Sequence, residues 1–405
     1  MQKIFILNAL FVLALNLSAQ PAWIRKADYA GGAKRTAAVG FAIPPSGYIA
    51  CGYDSADFKR TCWRYNPALD QWIQMTSFGN AMGSGLGRNC AVAFVIGNSA
   101  WVGTGQGGAP YLKDFQEFNA PINTWFAKAP LTSSGRRGAV AFSINGKGYV
   151  GTGQDSLGMK SDFWEYDPAT NTWTQKASLT GGARRLAVGF AINGKGYIGT
   201  GDANAFRNDL WEYDPGTNTW VQKSNFPGTP RYGAAVFVIN NKAYIGSGYD
   251  NTLQNKRDFW EYDPLSNFWA QKASFFGTER ANAAAFAIGN KGYFGTGFDS
   301  VPTTDFWEFD PTFTGIDEPD YSDVSIKIYP NPASDYAHFS ISTAQNIEQA
   351  FVSLYDLHGK LVRRLEFSGA EVSLPCSGLP PGTYVYTIND KKDYHLGNGK
   401  LILVN

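Results

Sequence analysis

Six arginines recur along the first three quarters of the chain at nearly equal spacing, each six residues before a phenylalanine. Successive members lie 53, 48, 48, 47 and 49 residues apart. A guanidinium presents its donors in a planar fork that suits bidentate hydrogen bonding to a carboxylate. Six such groups gathered in one place would form a binding site for a carboxylate-bearing or sugar ligand. They are Arg35, Arg88, Arg136, Arg184, Arg231 and Arg280.

Aromatic residues in the loops that follow these arginines would extend such a site, because aromatic side chains offer flat apolar surface to a sugar ring. These residues are Tyr53, Tyr111, Phe206, Tyr249 and Phe298. The arginines also have a structural interpretation, in which each pairs with the aspartate that opens a nearby strand or with loop carbonyls. Ion-pair networks of this kind recur in repeats that bind no ligand. The sequence leaves both interpretations open.

Other chemistry finds little support in the repeats. The three histidines, His338, His358 and His395, all lie beyond them, so the repeats lack the commonest general base and transition-metal ligand. One aspartate per loop is too few for a calcium cage and is more typical of turn capping. These aspartates are Asp54, Asp155, Asp202, Asp250 and Asp299. We therefore expect no catalytic residue, no metal and no cofactor.

The recurring unit reads as four short antiparallel strands and no helix, because runs of β-branched and aromatic residues alternate with Gly, Asn, Pro and Asp. Pairs such as Asn145-Gly146 predict tight hairpins between the first two strands. Segments such as Asp167-Pro168 predict turns between the last two. Gly103-Thr-Gly-Gln-Gly-Gly108 matches a dinucleotide-binding pattern, but that pattern needs a following helix, which the repeat excludes.

The first strand of each unit consists of small residues, as in the alanines before Phe286. Several copies can converge on one axis only if their side chains are small, so we place this strand innermost. The tryptophan of the fourth strand then packs against a neighbouring sheet. Four-stranded sheets repeated around an axis form a β-propeller.

These segments resemble kelch repeats over residues 20–313. The resemblance rests on the small-residue strand and on the motifs Tyr-Ile-Gly-Thr-Gly, Trp-Glu-Tyr-Asp-Pro and Asn-Thr-Trp. Blade one departs most, with Thr61-Cys-Trp-Arg in its third strand. Kelch enzymes of the galactose-oxidase type bind copper partly through histidine, so the lack of histidine in the repeats argues against that activity here.

The number of blades follows from how the ring closes. The last unit has three strands, ending at Pro311, and no fourth strand with a tryptophan follows. Its missing piece lies at the other end of the chain, where Trp23-Ile-Arg-Lys-Ala aligns with Trp173-Thr-Gln-Lys-Ala. We predict six blades, with the N-terminal strand completing the sixth and removing a free edge.

The two ends of the chain carry different signals. Residues 1–19 combine one positive charge, a short apolar run and Ser18-Ala19, which predicts a secretory signal peptide. Residues 314–325 form an acidic stretch without periodicity, typical of a linker. Residues 326–405 contain alternating strands that suit a small β-sandwich of immunoglobulin-like type.

The C-terminal segment resembles the type A sorting domain of the type IX secretion system found in Bacteroidetes. It carries Tyr-Pro-Asn-Pro, Tyr-Asp-x-x-Gly-Lys, Pro-Gly-x-Tyr and a terminal Lys-Leu-Ile in that order. The resemblance implies export through the periplasm and across the outer membrane, by contact between residues 326–405 and the secretion machinery. Membrane contact would then arise only by surface attachment, and release is the alternative.

Charge and cysteine content narrow the environment. The formal net charge of +1 gives no global field that would favour nucleic acid. Four cysteines in 405 residues form no disulfide scaffold. Cys51 and Cys62 lie on consecutive strands of blade one and are candidates for a cross-strand disulfide, while Cys90 is expected to be packed.

Strand alternation places the varied loops on one side of the propeller. The connections between second and third strands and the passages between blades share this side, which we call the loop face. Varied loops on a rigid scaffold are the usual place for binding residues. We therefore expect an exported protein that binds a glycan or a protein ligand there. The alternatives are a carbohydrate-active enzyme, such as a mutarotase of the sialic-acid type, and a structural adhesin without a discrete pocket.

Overall fold

The computed structural model describes residues 22–79, 86–108, 111–312, 325–342, 349–356, 361–390 and 395–404. The chain divides into two compact units, Met1–Gly315 and Ile316–Asn405. The predicted signal peptide lies outside the described residues, as does the predicted linker apart from residue 325. Within those ranges the regular structure is β-strand, apart from one 3₁₀ turn at Tyr29–Gly31. None of the described segments is a helix long and apolar enough to cross a bilayer.

The first unit contains six four-stranded antiparallel sheets. Blade one comprises Val39–Ile43, Ser46–Ala50, Cys62–Asn66 and Gln71–Met75. Blade two comprises Val92–Ile96, Ser99–Gly103, Phe115–Asn119 and Thr124–Lys128. Blade three comprises Val140–Ile144, Lys147–Gly151, Phe163–Asp167 and Thr172–Lys176.

The other three sheets repeat this plan. Blade four comprises Val188–Ile192, Lys195–Gly199, Leu210–Asp214 and Thr219–Lys223. Blade five comprises Ala235–Ile239, Lys242–Gly246, Phe259–Asp263 and Phe268–Lys272. Blade six comprises Ala284–Ile288, Lys291–Gly295, Phe306–Phe309 and Trp23–Lys26. Two-stranded ribbons at Gln154–Asp155 with Gly158–Met159, and at Arg231–Tyr232 with Tyr249–Asp250, extend the loop face.

The N-terminal strand closes the ring as the sequence predicted. Trp23 pairs with Phe309 and Arg25 pairs with Trp307 in antiparallel register. The first strand of each sheet contacts the first strands of both neighbouring blades, and blade six contacts blade one. The prediction of an all-β, six-bladed propeller closed by its N-terminal strand is confirmed.

Small residues let the innermost strands approach one another. A Cβ added to Gly40 would lie 2.8 Å from the carbonyl oxygen of Ala285 in blade six. A Cβ added to Gly148 would lie 2.2 Å from the ring of Phe94 in the preceding blade. The structure therefore places the small-residue strands around the axis, as predicted. The phenylalanines fill the space between neighbouring blades.

Each fourth-strand tryptophan ties its blade to the preceding one. Its indole N–H donates to a backbone carbonyl just beyond the fourth strand of that neighbour, which fixes the angle between the two sheets. The pairs are Trp23 to Ala273, Trp72 to Ala27, Trp125 to Thr76, Trp173 to Ala129, Trp220 to Ala177 and Trp269 to Ser224. Two of these six hydrogen bonds involve the N-terminal segment. The ring is therefore closed by the same tryptophan-to-carbonyl contact that joins the other neighbouring blades.

The second unit consists of two sheets around one core. One sheet contains Ser325–Tyr329, Tyr336–Ser342 and Glu371–Pro375, and the other contains Leu361–Phe367, Ala350–Tyr355, Gly382–Asp390 and His395–Leu403. Phe339, Leu354, Leu374, Ile388 and Leu401 from both sheets form the shared core. An immunoglobulin-like topology stays a prediction. His358 lies outside the described residues.

Candidate functional site

Five of the six repeated arginines form ion pairs with aspartates inside the blades. Arg184 is fully buried, and its two terminal nitrogens donate to the carboxylate oxygens of Asp209 at 2.6 and 2.7 Å. Its Nη1 also donates to the carbonyl of Thr200 at 2.9 Å. The same arrangement joins Arg88 to Asp114, Arg136 to Asp162, Arg231 to Asp258 and Arg280 to Asp305. These five guanidinium groups are therefore engaged by ion pairs inside the blades, and a role for them in ligand binding stays a prediction.

The acidic partners are held ionised by these pairs. Burial opposes ionisation of Asp162, Asp209 and Asp305, but hydrogen bonds and charge from the paired arginine outweigh it and lower the pKa of each carboxyl. A tryptophan two residues further on adds an indole hydrogen bond, as from Trp211 to Asp209 at 2.7 Å. Arg35, the sixth arginine, is buried as well, but it has no aspartate partner in the part of the chain that the structure describes.

The residue after each arginine belongs to a different set. Because successive side chains in an extended chain point to opposite sides, these residues point away from the buried ion pairs. Each forms an antiparallel bridge with a residue of the next loop, immediately before the innermost strand, so that six bridged pairs surround the channel mouth on the loop face. We call these pairs the collar. They are Thr36–Tyr53, Asn89–Gln106, Arg137–Gln154, Arg185–Asp202, Tyr232–Tyr249 and Ala281–Phe298.

One half of the collar is a chain of polar side chains that crosses two blade boundaries. Arg137 donates to Gln106 at 2.6 Å and to Gln154 at 3.2 Å. Arg185 donates to the same Gln154 at 2.7 Å and to Asp202 at 2.9 Å. The arginines are thus held in fixed positions by amides and one carboxylate.

The opposite half of the collar is aromatic. Tyr232 and Tyr249 lie 5.6 Å apart between ring centroids, and Phe206 contacts Tyr232 edge-on at 5.0 Å. All three rings are partly exposed. Phe298, in the next blade, is 42% exposed, and Tyr53 packs against Phe58.

The structure places the predicted aromatic residues in or beside the collar, and Phe206 and Tyr249 contact each other at 6.4 Å between ring centroids. Tyr53, Tyr249 and Phe298 are members of the collar, and Phe206 is bridged to Asp202. Tyr111 is bridged to Gln106, and the guanidinium of Arg137 lies 5.3 Å from its ring centroid. The sequence predictions missed Arg137, Arg185 and Tyr232. The sequence did contain a sign of them. Each directly follows a repeated arginine, and the residue type at this position changes from blade to blade.

A pocket of about 560 Å³ opens beside the collar in blade two. It is lined by Tyr111, Lys113 and Asp114 among others. Blade two has Gln116 where most blades have the tryptophan that covers the aspartate, and the side chain of Asp114 is 42% exposed as a result. This pocket is a local departure from the repeat.

The loop aspartates cap turns. Asp155 accepts the backbone N–H of Leu157 at 2.8 Å, and Asp250 accepts that of Thr252 at 2.9 Å. Asp54 accepts the N–H of Ala56 at 3.1 Å. In the described ranges, these carboxylates meet lysine, serine or threonine side chains and no metal-binding group of three or more His, Cys, Asp or Glu residues is present.

The cysteines are free thiols, so the candidate disulfide between Cys51 and Cys62 is not formed. The strand partner of Cys62 is Ala50, one residue before Cys51. Cys51 also adopts a left-handed conformation with φ of 64°, which turns its side chain out of the pairing register. Burial raises the pKa of Cys51 to about 11 and raises that of Cys62 as well.

We expect the native protein to react slowly with a thiol reagent such as dithionitrobenzoate at pH 8. Burial keeps the reactive thiolate scarce, and it also raises the pKa of Cys90 to about 11 and that of Cys376. Denatured protein should release four equivalents of chromophore quickly. Release of two equivalents without reductant would instead show that a disulfide had formed.

Comparison with known protein families places a match in each unit. Residues 42–228 match the family model of the KLHDC2/KLHL20/DRC7 Kelch-repeats domain. Residues 327–403 match that of the secretion system C-terminal sorting domain. No curated protein matches the chain. The two resemblances drawn from the sequence are confirmed.

Proposed function

The chain is a kelch-repeat propeller with a type IX secretion sorting domain, and from this premise we propose that it binds a carboxylate-bearing saccharide outside the cell. The sorting domain implies contact with the type IX machinery and export to the medium or the cell surface. The propeller is an interaction fold, and its ligand would sit on the collar. The observation that carries this proposal is the division of the collar into an arginine–amide half and an aromatic half.

Arg137 is the group that we assign to the ligand carboxylate. Its partners in the described structure are the neutral side chains of Gln106 and Gln154 and the ring of Tyr111, whereas Arg185 is already paired with Asp202. A guanidinium held by amides keeps its full charge for an anionic ligand. A charge-assisted hydrogen bond is roughly twice as strong as a neutral one, so this contact would dominate selectivity.

The aromatic half would contact the apolar face of the sugar ring. Phe206, Tyr232 and Tyr249 hold one another through edge and tilted contacts at 5.0 to 6.4 Å. Rigid aromatic side chains supply contact area at low conformational entropy cost. Binding suits this arrangement better than catalysis, because Asp202 is 8% exposed and its carboxylate is engaged by Arg185.

The test is a glycan array screened with the purified full-length chain, followed by calorimetry on the hits. We expect the hits to carry uronic or sialic acids. Arg137→Gln should weaken binding by about tenfold to a hundredfold, because a charged hydrogen bond contributes about 1.5–3 kcal/mol. Arg207→Gln, which changes an exposed arginine on the same face, is the matched control and should bind as the parent does.

Chemical reduction of the ligand carboxyl to an alcohol should have the same effect as Arg137→Gln. Equal affinity for acidic and reduced sugars would contradict the role of Arg137. Binding that survives both Arg137→Gln and Tyr232→Ala would contradict the collar as the site. Capture of proteins with no array hits would favour a protein ligand.

A further inference from the structure

Blade one lacks an acid that every other blade possesses. In blades two to six the buried arginine meets an aspartate that lies 25 to 27 residues later in the chain. Arg35 occupies the same position in blade one, and Thr61 stands where the aspartate would be. The threonine side chain ends one bond short of the position of carboxylate oxygens, and it carries no charge.

Arg35 is nevertheless as buried as its counterparts. Arg35 is only 4% exposed. Its Nη1 donates to the carbonyl of Cys51 at 3.2 Å, and the other five arginines donate to the equivalent carbonyl of their own blades. Its Nε is fully buried and has no partner among the described residues. A buried cation without a counter-charge is strongly unfavourable.

Two further buried polar atoms belong to residues beside Arg35. The hydroxyl oxygens of Tyr29 and Thr61 are both buried, and the two groups are close enough for Thr61 to act on the Tyr29 hydroxyl through a hydrogen bond. The guanidinium of Arg35 lies 5.6 Å from the centroid of the Tyr29 ring. Buried polar groups are normally satisfied. A contact between Tyr29 and Thr61 still leaves the Nε of Arg35 and one hydroxyl proton without an acceptor beside the missing carboxylate.

Among the described residues, none offers an anion at this place. Burial raises the pKa of Tyr29, and it raises that of Cys51 to about 11, so phenol and thiol are neutral at pH 7. The thiol of Cys62 is kept neutral in the same way. Asp114 acts on Cys51 through its charge but is already paired with Arg88. The charge of Arg35 is therefore not balanced by the groups around it.

We propose that blade one binds a small monovalent anion, of the size of chloride or formate, between Arg35, Tyr29 and Thr61. The anion supplies the negative charge that an aspartate supplies in the other blades, and it accepts hydrogen bonds from the guanidinium of Arg35 and from the hydroxyl groups beside it. It neutralises the buried guanidinium and joins the innermost strand of blade one to its third strand. This site is separate from the collar and does not depend on the ligand proposed for it.

The first experiment is thermal unfolding of the full-length chain in chloride mixed with gluconate at constant ionic strength. Gluconate is too large for a buried site, so the melting temperature should rise as chloride replaces it and should level off once the site is filled. We expect a rise of roughly 2–5 °C. A flat response to chloride and to formate would overturn the proposal.

A pair of variants separates the site from general salt effects. Thr61→Asp supplies the carboxylate that other blades have, so it should melt in gluconate at least as high as the parent does in chloride, and its chloride response should vanish. Thr61→Asn is the neutral match and should keep the response. A response that persists in Thr61→Asp would overturn the proposal.

Crystals of the parent grown in bromide give a readout that needs no variant to fold. Bromide replaces chloride at many sites and scatters anomalously. An anomalous peak within hydrogen-bonding distance of the Arg35 guanidinium is expected, and its absence at saturating bromide would overturn the proposal. A carboxylate-shaped density there in crystals grown in formate would show that the site also accepts small carboxylates.

Discussion

Replacing Asp209 by alanine lowers the free energy of unfolding by roughly 3–5 kcal/mol, the usual cost of leaving one partner of a buried ion pair uncompensated. Arg184 is fully buried in blade four and donates two hydrogen bonds to the carboxylate of Asp209, at 2.6 and 2.7 Å. Removal of the carboxylate also leaves the indole N–H of Trp211 without its acceptor. Chemical denaturation monitored by fluorescence and circular dichroism measures the loss.

Two controls distinguish lost charge balance from lost packing. The double variant Arg184→Met with Asp209→Leu removes both charges, so it should lose less stability than Asp209→Ala alone. The second control is pH. The folded-state pKa of Asp209 is lowered, so its contribution is fully present above the unfolded value of about 3.9 and is lost as pH falls through the folded pKa. The difference between parent and Asp209→Ala should therefore shrink in acid, and a difference independent of pH would contradict the ion-pair explanation.

The fold could be predicted because the sixth repeat lacks its fourth strand and the N-terminal segment supplies one. Trp23 carries the motif that the sixth unit lacks, and a ring of sheets has one way to use it. Hairpin positions also followed from local chemistry, as Asn145 and Asn193 adopt φ of 50° and 51° in the structure. Such features depend on short-range sequence and on edges that must be paired.

The candidate site could be predicted only in part, because repetition was read as a sign of ligand binding. The repeated Arg136 forms the kind of buried ion pair that most blades have. The adjacent Arg137 instead contacts Gln106 in the collar, where the residue type changes from blade to blade. One residue of register separates the two sides of a strand. A sequence pattern gives that alternation but not which side meets the channel, so it could not distinguish Arg136 from Arg137.

The departures of blade one are instructive in the same way. Thr61 was visible as a break in the repeat, but its meaning required the burial of Arg35 and of the Tyr29 hydroxyl. The candidate disulfide is absent for a geometric reason, since Cys51 adopts the left-handed conformation that the equivalent Thr104 and Thr152 adopt in other blades. The repeat marks this position, but strand alternation does not show its backbone conformation or the burial of a single side chain.

The last prediction concerns closure of the ring. Trp23→Ala should destabilise the propeller by roughly 3–5 kcal/mol, the range for removing a large aromatic side chain from a core. Trp23 is 1% exposed and packs against Phe259 and Phe309 at 4.8 Å and against Phe275 at 5.4 Å. Its indole N–H donates to Ala273 of blade five at 3.1 Å. Thermal unfolding of parent and variant checks the loss.

Trp173→Ala is the matched control, because Trp173 fills the same position in blade three, where the fourth strand continues directly from the third. Both variants should lose stability, but only Trp23→Ala should release a strand that no hairpin joins to its own sheet, because Trp23–Lys26 precedes blade one whereas Thr172–Lys176 directly follows its partner strand. Trypsin should therefore cut at Arg25 and Lys26 much faster in Trp23→Ala than in Trp173→Ala. Equal cleavage rates in the two variants would show that the N-terminal strand stays paired without its tryptophan, and closure would then have to come from the backbone ladder with Phe306–Phe309.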